Sequence, residues 1–356
     1  MVSRSKRSIG PPAAAWLAAL ALAALLAGCG QAKPHYAAEY VFEQDPGYPS
    51  CHCASLIELA NGDLLCAWYG GSGEGQPDVE VRYSRRAAGA SSWTPPTTLV
   101  DQPGRPEGNP VLWQDPTGKV WCFYCTQTGQ GWRTSQLKRV TSTDDGATWS
   151  LPVNMVNQIG YLVRCPLVVA GNGNWVLPAY DERDWTGVMF ISADQGATWK
   201  MSGRISTGGG YKASTIQPSL IKRSDGSLRA LCRMSPAPTK IYESVSTDHG
   251  WHWSPPKPTE LPNPNASVAQ CRLANGHVVL IFNNSATERT PLTAALSEDE
   301  GATWPVMRNL ETGEAKFSYP WVMQGSDGLI HVVYTYKRTQ IKHVVFDEAW
   351  LSAAGG

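Results

Sequence analysis

The sequence predicts an all-β fold, a six-bladed β-propeller, and three observations carry that expectation. The composition is that of short strands joined by tight turns, with 42% hydrophobic and only 17% charged residues and with 34 Gly, 26 Pro and 15 Trp in 356 residues. A glycine turn between two apolar runs recurs six times, and a second turn motif alternates with it. A fixed period of this size marks propellers and solenoids rather than a string of unrelated domains.

The glycine turns are Asn61-Gly62-Asp63, Thr117-Gly118-Lys119, Asn172-Gly173-Asn174, Asp225-Gly226-Ser227, Asn275-Gly276-His277 and Asp327-Gly328-Leu329. Asn-Gly and Asp-Gly supply the positive φ angles of a tight turn, so each copy predicts a hairpin. Successive glycines are 56, 55, 53, 50 and 52 residues apart. The alternating motif is Ser142-x-Asp144-x-Gly146-x-Thr148-Trp149, and it repeats at Ser192 to Trp199, Ser246 to Trp253 and Ser297 to Trp304. A degenerate copy runs from Ser84 through Gly89 to Trp93. In each copy the Ser and Asp side chains can bond the N–H groups of their own turn, Gly permits the reversal and Trp covers the adjacent core. At four strands per blade, six such units fill the chain from Tyr40 to Phe346, and the closing strand is expected to be shared between the two chain ends.

The N-terminal stretch has a different character. Arg4, Lys6 and Arg7 precede an apolar run from Ala13 to Ala27, the layout of an export signal, and the run is short for a membrane span. Leu26-Ala27-Gly28-Cys29 resembles a bacterial lipobox, which implies lipidation of Cys29, with an ordinary cleaved signal as the alternative. Gly30 stands where an inner-membrane retention signal would place Asp, so delivery to the outer membrane is expected. The expected organisation is a signal peptide over 1–28, a short linker over 29–39 and one propeller over 40–350.

Lys plus Arg balance Asp plus Glu at 30 each, so no net field favours nucleic acid or an anionic membrane surface, and contact with a membrane is expected only through the lipid. Eight cysteines follow Cys29, most of them in apolar strand-like runs, where buried free thiols are expected; Cys122-x-x-Cys125 lacks the second pair that a zinc site needs. With no dinucleotide-type glycine loop, no HExxH motif and no Cys/His cluster, neither an organic cofactor nor a catalytic metal is expected.

In a propeller the innermost strand of each blade lines a central channel, and here that strand precedes each glycine turn. The residues nine places before the six turn glycines are Cys53, Asn109, Arg164, Gln217, Ser267 and Tyr319, with His52 and Asn265 close by. A second set comes from the loops after the second strands: Glu74 and Asp78, then Asp181 to Asp184, Arg233, Arg289, Lys337 and Arg338. Solvated loops are rich in charge, so each alone reads as surface. Their convergence on one axis makes them candidates for a polar pocket.

The alternating motifs resemble the Asp boxes of sialidases, and the chain from Tyr40 onward is similar to the branch of that superfamily called predicted neuraminidases. Sialidases hold the substrate carboxylate with three arginines and use a tyrosine nucleophile paired with a glutamate, plus a separate Asp as acid/base. The resemblance implies that Arg233, before an Asp box, and Arg289, before the last one, are the second and third arginines, and that Tyr319 in Ser318-Tyr319-Pro320 is the tyrosine. It assigns the acid/base to the Gly70–Asp78 loop, as Glu74 or Asp78. Two positions depart from the pattern. The first arginine is absent, the aligned stretch reading Ser50-Cys51-His52-Cys53, and the glutamate is Gln217, whose amide cannot take a phenol proton.

The expected activity is therefore an exo-acting glycoside hydrolase on a terminal, acidic sugar of a glycan or polysaccharide. Tyr319, Glu74, Asp78 and His52 are the candidate catalytic groups, and Arg233, Arg289, Gln217, Asn109 and Arg164 are the candidate sugar-binding ones. Two alternatives remain open. One is a lyase or rhamnosidase-type enzyme on uronic-acid glycans, using His52, Tyr319 or Tyr211, and the other is a carbohydrate-binding propeller without turnover.

Overall fold

In a computed structural model, which describes residues 1–2, 33–206, 214–235 and 239–353, the chain from Pro34 onward forms six antiparallel sheets. The innermost strands, one per blade, are Ser50–Glu58 (blade I), Glu107–Gln114 (II), Tyr161–Val163 continued by Val168–Val169 (III), Ser214–Lys222 (IV), Ala269–Arg272 (V) and Phe317–Gln324 (VI). Each leads through its predicted glycine turn into a second strand, then a third, then a short outer one, so sequence order and spatial order agree within blades I to V. Innermost strands pack blade against blade, and VI packs back on I. The six-bladed propeller is thus closed.

Closure uses both ends of the chain. The first strand, Tyr36–Tyr40, adds antiparallel to Gln340–Phe346 as the outer strand of blade VI, with Tyr36 opposite Phe346. The sheet therefore begins four residues before position 40, inside the stretch expected to be linker. Backbone pairing, rather than a side-chain signal, defines this strand, and its residues are mostly exposed. The putting-in of Glu39 is specific all the same: it accepts from the Trp93 indole at 3.0 Å, Arg86 at 2.5 Å and His343 at 2.9 Å, tying the strand to blades I and VI.

The Asp boxes form the turns after the third strands, at the same end as the glycine hairpins. In the copy at 142–149, Ser142 Oγ donates to Asp144 (2.6 Å) and accepts from Gly146 N–H (2.8 Å), while Asp144 accepts from the Thr148 N–H (2.9 Å) and hydroxyl (2.6 Å). The copies at 192–199 and 297–304 repeat this pattern, and in the copy at 246–253 His252 replaces the threonine. Because the Asp is held by donors within its own turn, its work is local: it stabilises the loop that carries the Trp onto the core.

Four innermost strands share a bulge near their channel-mouth ends. Pairing shifts register between His52 and Ser55, Gly108 and Val111, Ile216 and Ser219, and Ser318 and Trp321. At each bulge one non-glycine residue takes a positive φ: Cys53 (63°), Asn109 (53°), Gln217 (54°) and Tyr319 (56°). These are four of the six positions nine residues before the turn glycines. A bulge frees one residue from the ladder and re-aims its side chain, here at the mouth of the channel. The eight cysteines from Cys51 to Cys271 are free thiols and seven are buried; burial pushes the Cys53 thiol up to about 12 and that of Cys165 to about 11.

Candidate active site

At the end of the channel opposite the hairpins lies a cavity of about 280 Å³. Its floor comes from the bulges, which present Asn109, Gln217 and Tyr319. Its walls come from the ends of the second strands and the loops beyond them, which bring Tyr69 and Glu74 (blade I), Trp132 (II), Tyr180, Glu182 and Trp185 (III), Arg233 (IV), Arg289 (V) and Arg338 (VI). Among the described residues three guanidinium groups thus face two carboxyl groups, an excess of positive charge suited to an anionic ligand.

Tyr319 is at the centre of the polar network. Its hydroxyl oxygen accepts from Arg233 Nη1 at 2.7 Å and from Gln217 Nε2 at 3.3 Å. Arg233 also donates to Gln217 Oε1 (3.2 Å) and to Asn265 Oδ1 (2.5 Å). Since a guanidinium only donates, that contact fixes the amide of Gln217 with its oxygen toward Arg233 and its N–H groups toward the phenols. Gln217 Nε2 accordingly donates to Tyr180 as well (3.4 Å), as does Asn109 Nδ2 (3.1 Å). The Arg289 guanidinium carbon stands 5.4 Å from the Tyr319 ring centroid, and its Nη2 donates to the Asn265 carbonyl at 3.2 Å.

Glu74 reaches the cavity and is held at both oxygens. One pairs with Arg338 at 2.6 Å and the other accepts from the Trp132 indole N–H at 3.1 Å. Trp132 lies against the backbone at Gly108, where an added Cβ would stand 2.6 Å from the indole ring, so only glycine leaves it room. Glu182 sits on the opposite side of blade II from Glu74, and burial raises its carboxyl to about 7 in spite of Arg233 and Arg133.

Three expected site residues have other roles. Asp78 does not line the cavity; its carboxylate turns back to accept from the Ser72 N–H (2.9 Å) and hydroxyl (2.8 Å), bonds that hold it below the usual carboxylate range and fasten the loop carrying Glu74. His52 is buried beneath Tyr319, ring centroids 4.1 Å apart, with Nδ1 2.8 Å from Thr335 Oγ1. Burial and then the surrounding arginines push it well below its ordinary value, so it is neutral and supports the tyrosine ring instead of touching a sugar. Arg164, only 1% exposed, is a strut within the channel: it donates to the carbonyls of Tyr319 (2.5 Å), Pro320 (2.7 Å) and Ala54 (3.3 Å). It ties the bulges of blades I and VI together and does not line the cavity above. Cys29 and Tyr211 lie outside the described residues.

Tyr69, Trp132, Tyr180 and Trp185 were not expected from the sequence, and Glu182 and Arg338 were candidates for the pocket without an assigned role. Glu182 and Arg338 belong to the charged loops noted above, whose unequal lengths give no fixed offset to a channel position. Tyr69 and Tyr180 close the second strands of blades I and III, the place where an inward-facing aromatic marks a cavity wall. Among the described residues, no group of three or more His, Cys, Asp or Glu side chains is arranged to hold a metal ion. A larger cavity of about 590 Å³ opens at the hairpin end, with a mainly apolar lining that includes Leu56, Trp113, Val168 and Met323.

Comparison with known proteins supports this architecture. The sequence profile of the family described as BNR repeat-like domain matches residues 62–332. A sialidase of Micromonospora viridifaciens is 26% identical over 353 aligned positions, covering 86% of this chain and 52% of that protein. A sialidase of Bacteroides fragilis is 24% identical, covering 82% of this chain and 60% of that protein. The chain thus spans about half to three-fifths of the length of these relatives. Among solved structures, the NanB sialidase of Streptococcus pneumoniae superposes with a TM-score of 0.75 at 12% identity, covering 88% of this chain and 71% of that one, a likeness of fold.

Proposed function

Since the chain belongs to the BNR repeat-like family of the sialidase superfamily, we propose that it is an exo-acting glycoside hydrolase that removes a terminal, acidic sugar from a glycan or polysaccharide. The observation that carries this reading is the convergence of Arg233, Arg289 and Arg338 on a cavity with Tyr319 at its floor. A guanidinium is planar, keeps its charge at any working pH and bonds a carboxylate at two points, so such a cluster recognises a carboxylated sugar ring. In this reading Arg338 compensates for the arginine missing from blade I. It approaches from the neighbouring blade VI, and its bond to Glu74 places it on the blade I side of the cavity.

With the carboxylate held by the arginines, the anomeric carbon lies over Tyr319. The phenol oxygen, oriented by Arg233 and Gln217, faces the positive charge that develops there as the glycosidic bond breaks. His52 and Arg164 fill the channel against the Tyr319 ring, so the chain beneath the cavity floor is packed, which favours action on chain ends.

One observation favours a second reading, a sugar-binding propeller without turnover: Gln217 offers N–H groups, not an acceptor, to the phenol. A panel of aryl glycosides that includes sialosides and uronides, run with wild type and Tyr319→Phe, separates the two. Hydrolysis is expected for a carboxylated glycoside, with a loss of about a hundredfold or more in kcat for the Phe variant. Sugar binding without turnover of any glycoside would favour the binding module, and an unsaturated product would identify a lyase.

We further propose that the protein is exported and anchored by a lipid on Cys29. The support is the basic, apolar and Leu26-Ala27-Gly28-Cys29 order of the first residues. Wild type is expected in the membrane fraction of the native host and Cys29→Ser in the soluble fraction. Equal partition of the two would count against the anchor.

A further inference from the structure

Among the described residues two carboxyl groups line the cavity, and their surroundings differ. Both oxygens of Glu74 are occupied, by the Arg338 ion pair at 2.6 Å and the Trp132 indole at 3.1 Å. Glu74 is thus engaged in holding Arg338 and Trp132 in place. Glu182 has a different setting. It follows directly on the second strand of blade III, Trp175–Asp181, and its backbone N–H is fixed by the Gly160 carbonyl at 2.8 Å. Its neighbours in sequence point elsewhere: Asp181 is buried against Arg183 (2.7 Å) and Arg204 (3.0 Å), and Asp184 pairs with Arg204 (2.5 Å). Of this acidic run, Glu182 alone lines the cavity.

The geometry points to Glu182 as the acid that protonates the leaving-group oxygen, an assignment that rests on the glycosidase reading above. The proton of the Glu182 carboxyl passes to the glycosidic oxygen as the bond from that oxygen to the anomeric carbon breaks, and the bonding electron pair leaves with the aglycone. The water that replaces the aglycone at the anomeric carbon returns a proton to the Glu182 carboxylate. Atoms and charge balance over the cycle, and no other reactant is needed.

The electrostatic setting agrees. Burial is the main influence on Glu182 and raises its carboxyl to about 7, with Asp181 adding to the rise, while Arg233 from blade IV and Arg133 from blade II oppose it. Tyr180, beside it in the same wall, is a phenol pushed well upward by burial and by the Glu182 charge, and so remains neutral. A carboxyl group at about 7 is half protonated near neutral pH, the condition in which a general acid is both present and able to give up its proton. The sign follows: activity that needs the protonated form falls as pH rises through about 7.

The test compares wild type, Glu182→Gln, Glu182→Asp and Glu74→Gln on two glycosides of the same sugar, one with a nitrophenyl and one with an alkyl leaving group. A nitrophenolate departs without help, whereas an alkoxide needs a proton. Glu182→Gln is expected to lose about a hundredfold or more in kcat/KM on the alkyl glycoside and less than about tenfold on the nitrophenyl one. It is also expected to lose the alkaline fall of the pH profile. Glu182→Asp keeps an acid and is expected to keep that fall, and Glu74→Gln is expected to slow both substrates alike. Equal losses on the two leaving groups for Glu182→Gln, or an alkaline fall that survives in it, would overturn the assignment and leave the glycosidase reading standing. No turnover of either glycoside by wild type would overturn both.

Discussion

At the scale of single residues, hydrogen-bond partners decide the roles of side chains that look alike in sequence. Arg164 and Arg233 both come from channel-facing stretches, yet Arg164 donates to three backbone carbonyls and Arg233 turns to Tyr319 in the cavity. Arg164→Met fills most of the same volume and leaves those carbonyls without a donor. It is expected to destabilise the fold by about 3 kcal/mol, read as a shift in the denaturant unfolding midpoint. Wild-type stability with loss of sugar affinity would show instead that Arg164 meets the ligand. The same contrast separates Glu74 from Asp78: four residues apart in one loop, one enters the cavity and the other fastens the loop through Ser72.

At the scale of elements, the repeat made the architecture legible in the sequence, because each hairpin and each Asp box is specified by residues only a few positions apart. Counting nine residues back from the turn glycines found the bulges of four blades, and three of these carry a local signal as well. Asn109-Pro110, Gln217-Pro218 and Tyr319-Pro320 put proline, which has no N–H to offer a ladder, directly after the residue with positive φ. What this count cannot give is depth. His52 and Arg164 lie on the channel axis as expected, but one layer below the mouth, under Tyr319. Trp132, Glu182 and Arg338 were harder to assign because they stand on second-to-third-strand loops of unequal length. Their meeting depends on which loop ends abut, a property of the closed ring and not of any one repeat. The strand at Tyr36–Tyr40 was hidden for a related reason, since its partner is three hundred residues away and its own side chains are mostly exposed.

At the scale of the whole molecule, closing the ring creates the site. Tyr319 and Arg338 belong to blade VI, Glu74 to blade I, Glu182 to blade III, Arg233 to blade IV and Arg289 to blade V. Blade VI is completed by the first strand of the propeller, which Glu39 ties to Arg86 and Trp93 of blade I. The arrangement also gives the two ends of the channel different characters: a small, charged cavity at one end and a larger, mainly apolar one among the hairpins. The central claim is that a carboxylated sugar binds at the charged end with its carboxylate among the arginines. Diffraction from crystals soaked with a carboxylated pyranoside tests it most directly. The carboxylate is expected within hydrogen-bond reach of at least two of Arg233, Arg289 and Arg338, and the anomeric carbon over Tyr319. A sugar seated at the hairpin end, or one whose carboxylate points away from all three arginines, would contradict it.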